Sequence, residues 1–213
     1  MSARDEILAR VRDALSDVTP AEADVEVPWE YGRPVDVGEV VETFVERVED
    51  YRATVVRCTA SELPRTIAVG LAETGADTAV VPVGLDPAWL AEATAVRFVS
   101  EDAGPLGNDD LNRLDAVVTA AAVGIAETGT IVLDHGPDQG RRALTLVPDR
   151  HVCVVRSDQV VSGVPEAVSR LRPSIEARRP LTWISGPSAT SDIELSRVEG
   201  VHGPRQLYVI VVD

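Results

Sequence analysis

The sequence predicts an α/β fold, a mainly parallel sheet with helices on both faces, preceded by an N-terminal helical arm. Three observations lead to it. Short β-branched runs alternate with amphipathic stretches at helical spacing, and the connections between them are short, an order that favours parallel strand pairing. Apolar runs such as Ile131-Val132-Leu133 read as buried strands. The length of 213 residues, 45% of them hydrophobic, suits one globular domain with an added arm.

In chain order, Ser2 and Asp5 have the spacing of a capping box, and Ile7, Leu8, Val11, Ala14 and Leu15 recur at helical intervals. Residues 16–33 then read as an extended linker around Trp29 and Tyr31, so the arm is placed at 1–35 and the α/β domain at 36–213. Val37, Val40, Val41, Phe44, Val45 and Val48 form one stripe of a helix over Asp36 to Arg52. Ala53 to Cys58 is a strand, Ser61 to Glu73 a helix with Pro64 in its first turn, and Gly75 its stop. Strands follow at Ala79 to Val83, Val96 to Val99 and Asp115 to Thr119, with short helices after Asp86-Pro87 and within Gly104 to Asn112. Ala143 to Val147 and Val152 to Arg156 are further strands, Val164 to Leu171 is a helix, and Leu181 to Ile184 and Gln206 to Val212 complete the strands.

A net charge of −15 argues against nucleic acid or an anionic membrane as the partner, because both demand a basic surface. All 20 basic residues are arginine, which removes Schiff-base chemistry and a P-loop lysine. Half of them lie between Arg141 and Arg205, so a small anion can still meet a locally positive cleft. Cys58 and Cys153 sit in apolar runs as buried thiols, and two isolated cysteines cannot ligate an iron–sulfur cluster. His135, His151 and His202 are scattered with no metal spacing, so no intrinsic metal or cofactor is expected. His135 reads as exposed and His151 as a core or capping histidine; His202, beside Gly203, has room for a ligand. A charged N-terminus and the lack of any apolar run of about 20 residues point to a cytoplasmic protein with no membrane span.

Two stretches carry candidate chemistry. Gly124-Ile125-Ala126-Glu127-Thr128-Gly129-Thr130 leads into the strand ending at Leu133. Gly129 permits a close backbone approach, Thr128 and Thr130 offer hydroxyls and N–H groups to an oxyanion, and Glu127 is the only charge in the turn. A tight connection between strands explains the same residues. Ser185-Gly186-Pro187-Ser188-Ala189-Thr190-Ser191-Asp192-Ile193-Glu194 follows a strand, is rich in hydroxyls and ends in two acids. It suits a carboxylate or phosphate, and it equally suits local capping of the backbone.

These stretches, together with Pro148-Asp149-Arg150-His151 and Gly200-Val201-His202-Gly203-Pro204, resemble the LUD (lactate-utilisation) domain family, of the lactate-utilisation protein C type. The resemblance spans Asp36 to the C-terminus. It implies a fold similar to the NagB/RpiA/CoA transferase-like proteins, and L-lactate oxidation to pyruvate alongside iron–sulfur partner proteins. Lacking cysteine clusters, this chain looks like the cluster-free subunit, with any iron–sulfur cluster in its partners.

The chemistry of the side chains suggests their roles. Thr128, Gly129, Thr130, Ser185, Gly186, Ser188 and Thr190 supply contacts to an organic acid or phosphorylated anion, with Asp192 and Glu194 orienting a hydroxyl. Arg141 or Arg142 clamps the carboxylate, and Glu127 or His202 moves a proton. Two alternatives stay open: an acyl- or CoA-transferase-like or isomerase-like enzyme using Glu127, and a metabolite-sensing scaffold in which the arm serves assembly. A homo-oligomer stays open too, since a tethered helix packs on its own domain or on a second subunit.

Overall fold

The computed structural model describes residues 2–17, 33–190, 198–199 and 203–213. Trp29, Tyr31, Asp192, Glu194 and His202 lie outside them, as does most of the expected linker. The chain divides into two compact units, Met1–Tyr31 and Gly32–Asp213. In the first, α1 (Ala3–Ala14) starts at the expected capping box: Ser2 Oγ accepts from the Asp5 N–H at 3.3 Å and Asp5 Oδ2 accepts from the Ser2 N–H at 2.9 Å.

The second unit begins with a turn, not a helix. Gly38 has φ +71° and its N–H donates to Asp36 Oδ1 at 3.2 Å, so α2 starts only at Val40 and runs to Asp50. Its stripe behaves as expected, with Phe44 and Val48 fully buried. Then come β1 (Thr54–Cys58), α3 (Leu63–Glu73), β2 (Thr78–Val81), a 3-10 turn over Pro87–Leu90, β3 (Arg97–Ser100), α4 (Asn108–Leu111) and β4 (Ala116–Ala120). Glycine and threonine then make a hairpin, β5 (Val123–Ile125) and β6 (Thr130–Leu133), so Gly124 and Ile125 belong to a strand and the turn itself is only residues 126–129. After β7 (Arg150–Arg156) and β8 (Val160–Val161) come α5 (Val164–Arg170) and α6 (Arg172–Glu176), with Pro173 in the first turn of the latter. The chain ends with β9 (Thr182–Ile184), β10 (Ala189–Thr190), β11 (Val198–Glu199) and β12 (Gln206–Val212).

Six parallel strands form the main sheet in the order β1-β12-β7-β4-β2-β3. Successive side chains of β7 and β12 alternate between two cores. Val152, Val154, Tyr208 and Ile210 pack under α3 with Ile67 and Leu71. Cys153, Val155, Leu207 and Val209 face α2 and a second sheet, meeting Phe44, Val48, Ile131 and Leu133. That second sheet has the order β8-β5-β6-β9, with β6 antiparallel to both neighbours. Helices thus flank the main sheet on both faces, but on one face they share it with a layer of strands.

Residues 143–147, strand-like in composition, form no strand. β4, whose Val117 packs with Leu144, is already flanked by β7 and β2 and offers these residues no edge to pair with. Arg142–Thr145 instead makes a 3-10 turn, from which Leu144 enters a cluster with Val80, Leu111 and Val117.

The hairpin turn rests on α2. Gly129 has φ +57°, and a Cβ there would lie 2.6 Å from the Arg47 carbonyl. Gly129→Ala therefore combines a left-handed backbone cost of about 1 to 2 kcal/mol with a steric clash. Gly75, at φ +70° with no atom within 4 Å of an added methyl, isolates the first cost. Urea unfolding should show Gly129→Ala losing at least about 2 kcal/mol and Gly75→Ala about 1 kcal/mol; equal losses would refute the close approach.

His151, 1% exposed, is a titratable group set deep in this core. Burial lowers its pKa from 6.5 to about 4, so the ring is neutral at pH 7. The unfolded chain then takes up the proton first, and stability falls as pH drops from 6.5 towards 4. The share owed to this group, on the order of 3 kcal/mol, is intact above that window. Denaturant titrations across the window should show this slope in the native protein and lose it in His151→Asn.

Candidate functional site

The two hydroxyl-bearing bends meet. Antiparallel pairing of Ile131 with Ile184 sets Thr130, at the start of β6, opposite Ser185, just past the end of β9. Their hydroxyls lie 2.8 Å apart, and Thr128 Oγ1 lies 2.8 Å from Thr130 Oγ1, making a ladder of three hydroxyls across the strands. Gly186, at φ +84°, brings this bend against Tyr51, whose Cβ would sit 2.5 Å from an added methyl. The C-terminal end of α2 thus supports both bends, through Arg47 and Tyr51.

Beyond Ser185 the chain walls a cavity of about 290 Å³. Ser185, Gly186 and Ser188 form one side and Gly203 and Pro204 another, tied by the Ser188 N–H donating to the Pro204 carbonyl at 2.8 Å. His151 and Leu207, register partners at the start of β7 and β12, close it below, and Trp183 borders it. Arg142 and Thr145 are also part of the lining. Arg142 is the sole charged side chain among the described lining residues, and its guanidinium has no ion-pair or hydrogen-bond partner among the described residues. A lone guanidinium beside hydroxyls and the neutral His151 favours an anion.

A larger cavity of about 730 Å³ opens where the loop over residues 134–140 crosses the carboxyl ends of β2 and β4. This is the switch point of the strand order, the usual place for a ligand in a wound sheet. Its chemistry is nonetheless largely spent on structure. Arg141 grips Glu101 with bonds of 2.7 to 3.0 Å and the Leu106 carbonyl at 2.6 Å. Burial pushes the Glu101 carboxyl up, but the Arg141 guanidinium and the Leu106 N–H outweigh it and hold the group below its usual range. Arg179 pairs with Asp134 at 2.9 Å. His135, expected exposed, is half-buried, with Nδ1 2.8 Å from the Gly140 carbonyl and Nε2 2.8 Å from Thr182 Oγ1. Only Arg142, on the rim of both cavities, offers an uncompensated charge to a ligand among the described residues.

Thr128, Thr130, Arg142, Ser185, Gly186 and Ser188 therefore gather around the smaller cavity or the ladder leading to it. Gly129 is used against α2, and Arg141 is held by Glu101. Glu127 is exposed on the far side of the turn, where its N–H donates to the Ser162 carbonyl at 3.0 Å and its carboxylate lies beside Gly163. Thr190 pairs with Val198 through the backbone. His151 is the core residue its sequence context suggests, yet it also borders the cavity. The signal for that second role is a polar residue opening an otherwise apolar strand, in a motif that also carries the family resemblance.

Known proteins resemble this chain over most of its length. Lactate utilization protein C of Deinococcus radiodurans is 47% identical over 210 residues, covering 99% of this chain and 95% of its own length. Proteins of the same name from Bacillus pumilus and Geobacillus thermodenitrificans are 29% and 26% identical, covering 100% and 93% of this chain and 98% and 89% of theirs. A crystal structure of a DUF162 family protein from Deinococcus radiodurans superposes with a TM-score of 0.71 at 43% identity, covering 84% of this chain and all of that one. The LUD domain family model matches residues 41–212, from α2 through β12, and with these relatives it shows that the chain belongs to the LUD domain family.

Proposed function

We propose that this protein acts in lactate utilisation as the cluster-free, ligand-binding subunit of an L-lactate-oxidising system. It holds a small organic acid in the cavity beside Ser185, and the electrons removed on oxidation to pyruvate pass to iron–sulfur partner proteins. The names of the relatives support the pathway. The observation that carries the site is Arg142, a guanidinium unpaired among the described residues, in a protein of net charge −15. A small cavity that keeps one cation uncompensated amid so much negative charge is suited to a ligand bringing its own carboxylate. The Ser185 hydroxyl, at the end of the ladder, borders the same cavity and can share in hydrogen bonding that carboxylate.

No helix of the described residues is long and apolar enough to cross a membrane. The alternative in which Glu127 attacks an acyl group gains no support from its exposed position beside Gly163. The described part of the cavity contains no carboxylate nucleophile.

Isothermal titration of the full chain with L-lactate and pyruvate tests the reading. Arg142→Gln should weaken carboxylate binding by roughly tenfold or more, the worth of a charge-assisted hydrogen bond, while leaving the unfolding midpoint close to that of the native protein. Silence toward every small carboxylate, or affinity indifferent to Arg142→Gln, would discard the site.

A further inference from the structure

Beneath the cavity, three side chains on adjacent strands form a chain of hydrogen bonds with a direction. Thr119 on β4 and His151 and Cys153 on β7 point to the same side of the main sheet. His151 Nε2 lies 2.8 Å from Thr119 Oγ1, Thr119 Oγ1 lies 3.8 Å from Cys153 Sγ, and Cys153 Sγ lies 3.9 Å from the Ala120 carbonyl oxygen. All three side chains are buried.

The direction follows from proton counting. A carbonyl only accepts, so the Cys153 S–H points at Ala120 O and the sulfur is left as an acceptor. The Thr119 hydroxyl spends its single proton on that sulfur. With that proton directed at the sulfur, the hydroxyl oxygen is placed to accept from His151, the arrangement in which Nε2 carries the imidazole proton. The ring is neutral, which leaves Nδ1 bare, with a lone pair and no partner among the described residues. That nitrogen belongs to a residue bordering the cavity in which Arg142 waits for a carboxylate.

We infer that His151 Nδ1 accepts a hydrogen bond from the 2-hydroxyl of a 2-hydroxy acid whose carboxylate pairs with Arg142, so that the site selects the hydroxy acid over its 2-keto counterpart. The inference rests on the ligand site proposed above and assigns the residue that reads the 2-position of its ligand. A 2-keto acid presents an oxygen lone pair where the hydroxy acid presents a proton, and two acceptors facing each other in a closed site repel. His151 is then a specificity-determining residue. Thr119 and Cys153 are positioning residues, acting only through the tautomer they impose.

The test uses L-lactate and pyruvate as probes of the full chain by calorimetry, with ¹⁵N spectra of the imidazole rings, the His151 signals assigned by their loss in His151→Asn. The native protein should bind L-lactate about tenfold more tightly than pyruvate, with Nε2 protonated and Nδ1 bare. His151→Asn, whose Oδ1 replaces Nδ1 as acceptor, should keep the preference, and His151→Leu should abolish it by weakening lactate alone. Thr119→Val, which touches no ligand, should erode the preference and let proton density appear on Nδ1. Equal affinities for the two acids, or a native Nδ1–H tautomer, overturn the inference while leaving the site intact if Arg142→Gln still weakens both. Binding of neither acid removes the site and the inference together. Should His151→Leu fail to fold, the native spectra and Thr119→Val decide the matter alone.

Discussion

The burial of β12 on both faces is the constraint on which the rest of the domain depends. The last strand of the chain inserts between β1, the first strand of the domain, and β7, and gives each of them a full parallel ladder. Leu207 to Val212 are all buried, with alternate residues feeding the cores above and below. A strand with no wet face tolerates no polar side chain without a partner, and Tyr208 reflects this: burial raises its phenol pKa to about 12. Close approach completes the packing, since Gly70 of α3 lies against the Tyr208 ring, 2.8 Å from where its Cβ would be. The first and last strands of the domain are thus paired side by side at one edge of the sheet.

The same insertion sets up the candidate site. The starts of β7 and β12 lie side by side, so His151 and Leu207 become a shared floor. The second sheet then brings β6 and β9 over that floor, and the antiparallel step between Thr130 and Ser185 delivers the hydroxyl ladder to its edge. Gly129 is set against α2 rather than the cavity, whereas Gly186 both packs on Tyr51 and lines the cavity. They let the bends settle on α2 closely enough for the ladder to form. Conformational freedom here serves packing first and chemistry second.

Charge is distributed by the same economy. Arg141, Arg179 and Arg150 are each consumed by a carboxylate, Glu101, Asp134 and Asp115, and each pair holds a loop or strand end in place. Asp115 shows how: burial drives its carboxyl up, and the Thr78 hydroxyl and N–H, the Asp77 N–H and Arg150 more than reverse it, pinning β2 to β4. With these cations neutralised, the two adjacent arginines of the 141–142 pair acquire different fates. Arg141 points to Glu101 and becomes structure, whereas Arg142 begins a 3-10 turn and keeps its charge for the cavities.

Much of this was legible in the chain. Periodicity located α2, α3 and the strands of the main sheet within a few residues, because burial of one stripe or of both faces is a local demand on side-chain spacing. The capping box at Ser2 and the proline at the start of α3 marked helix ends for equally local reasons. The sequence motifs also marked which bends carry hydroxyls and which family they resemble. Tertiary structure alone decided the remainder. Residues 143–147 have strand-like composition, yet β4, against which they pack, already has a strand on each side. Gly124 joined a hairpin because its partner lay across a turn, and Glu127 was carried away from the cavity by that turn. His151 acquired a site-facing role only when β12 and the Ser185 bend were laid around it. The sequence by itself determined the type and place of most elements, since those depend on neighbours in the chain. Strand order, and with it which of the described arginines lining the cavities keeps its charge, was settled only in three dimensions, because it depends on which distant segments compete for the same edge.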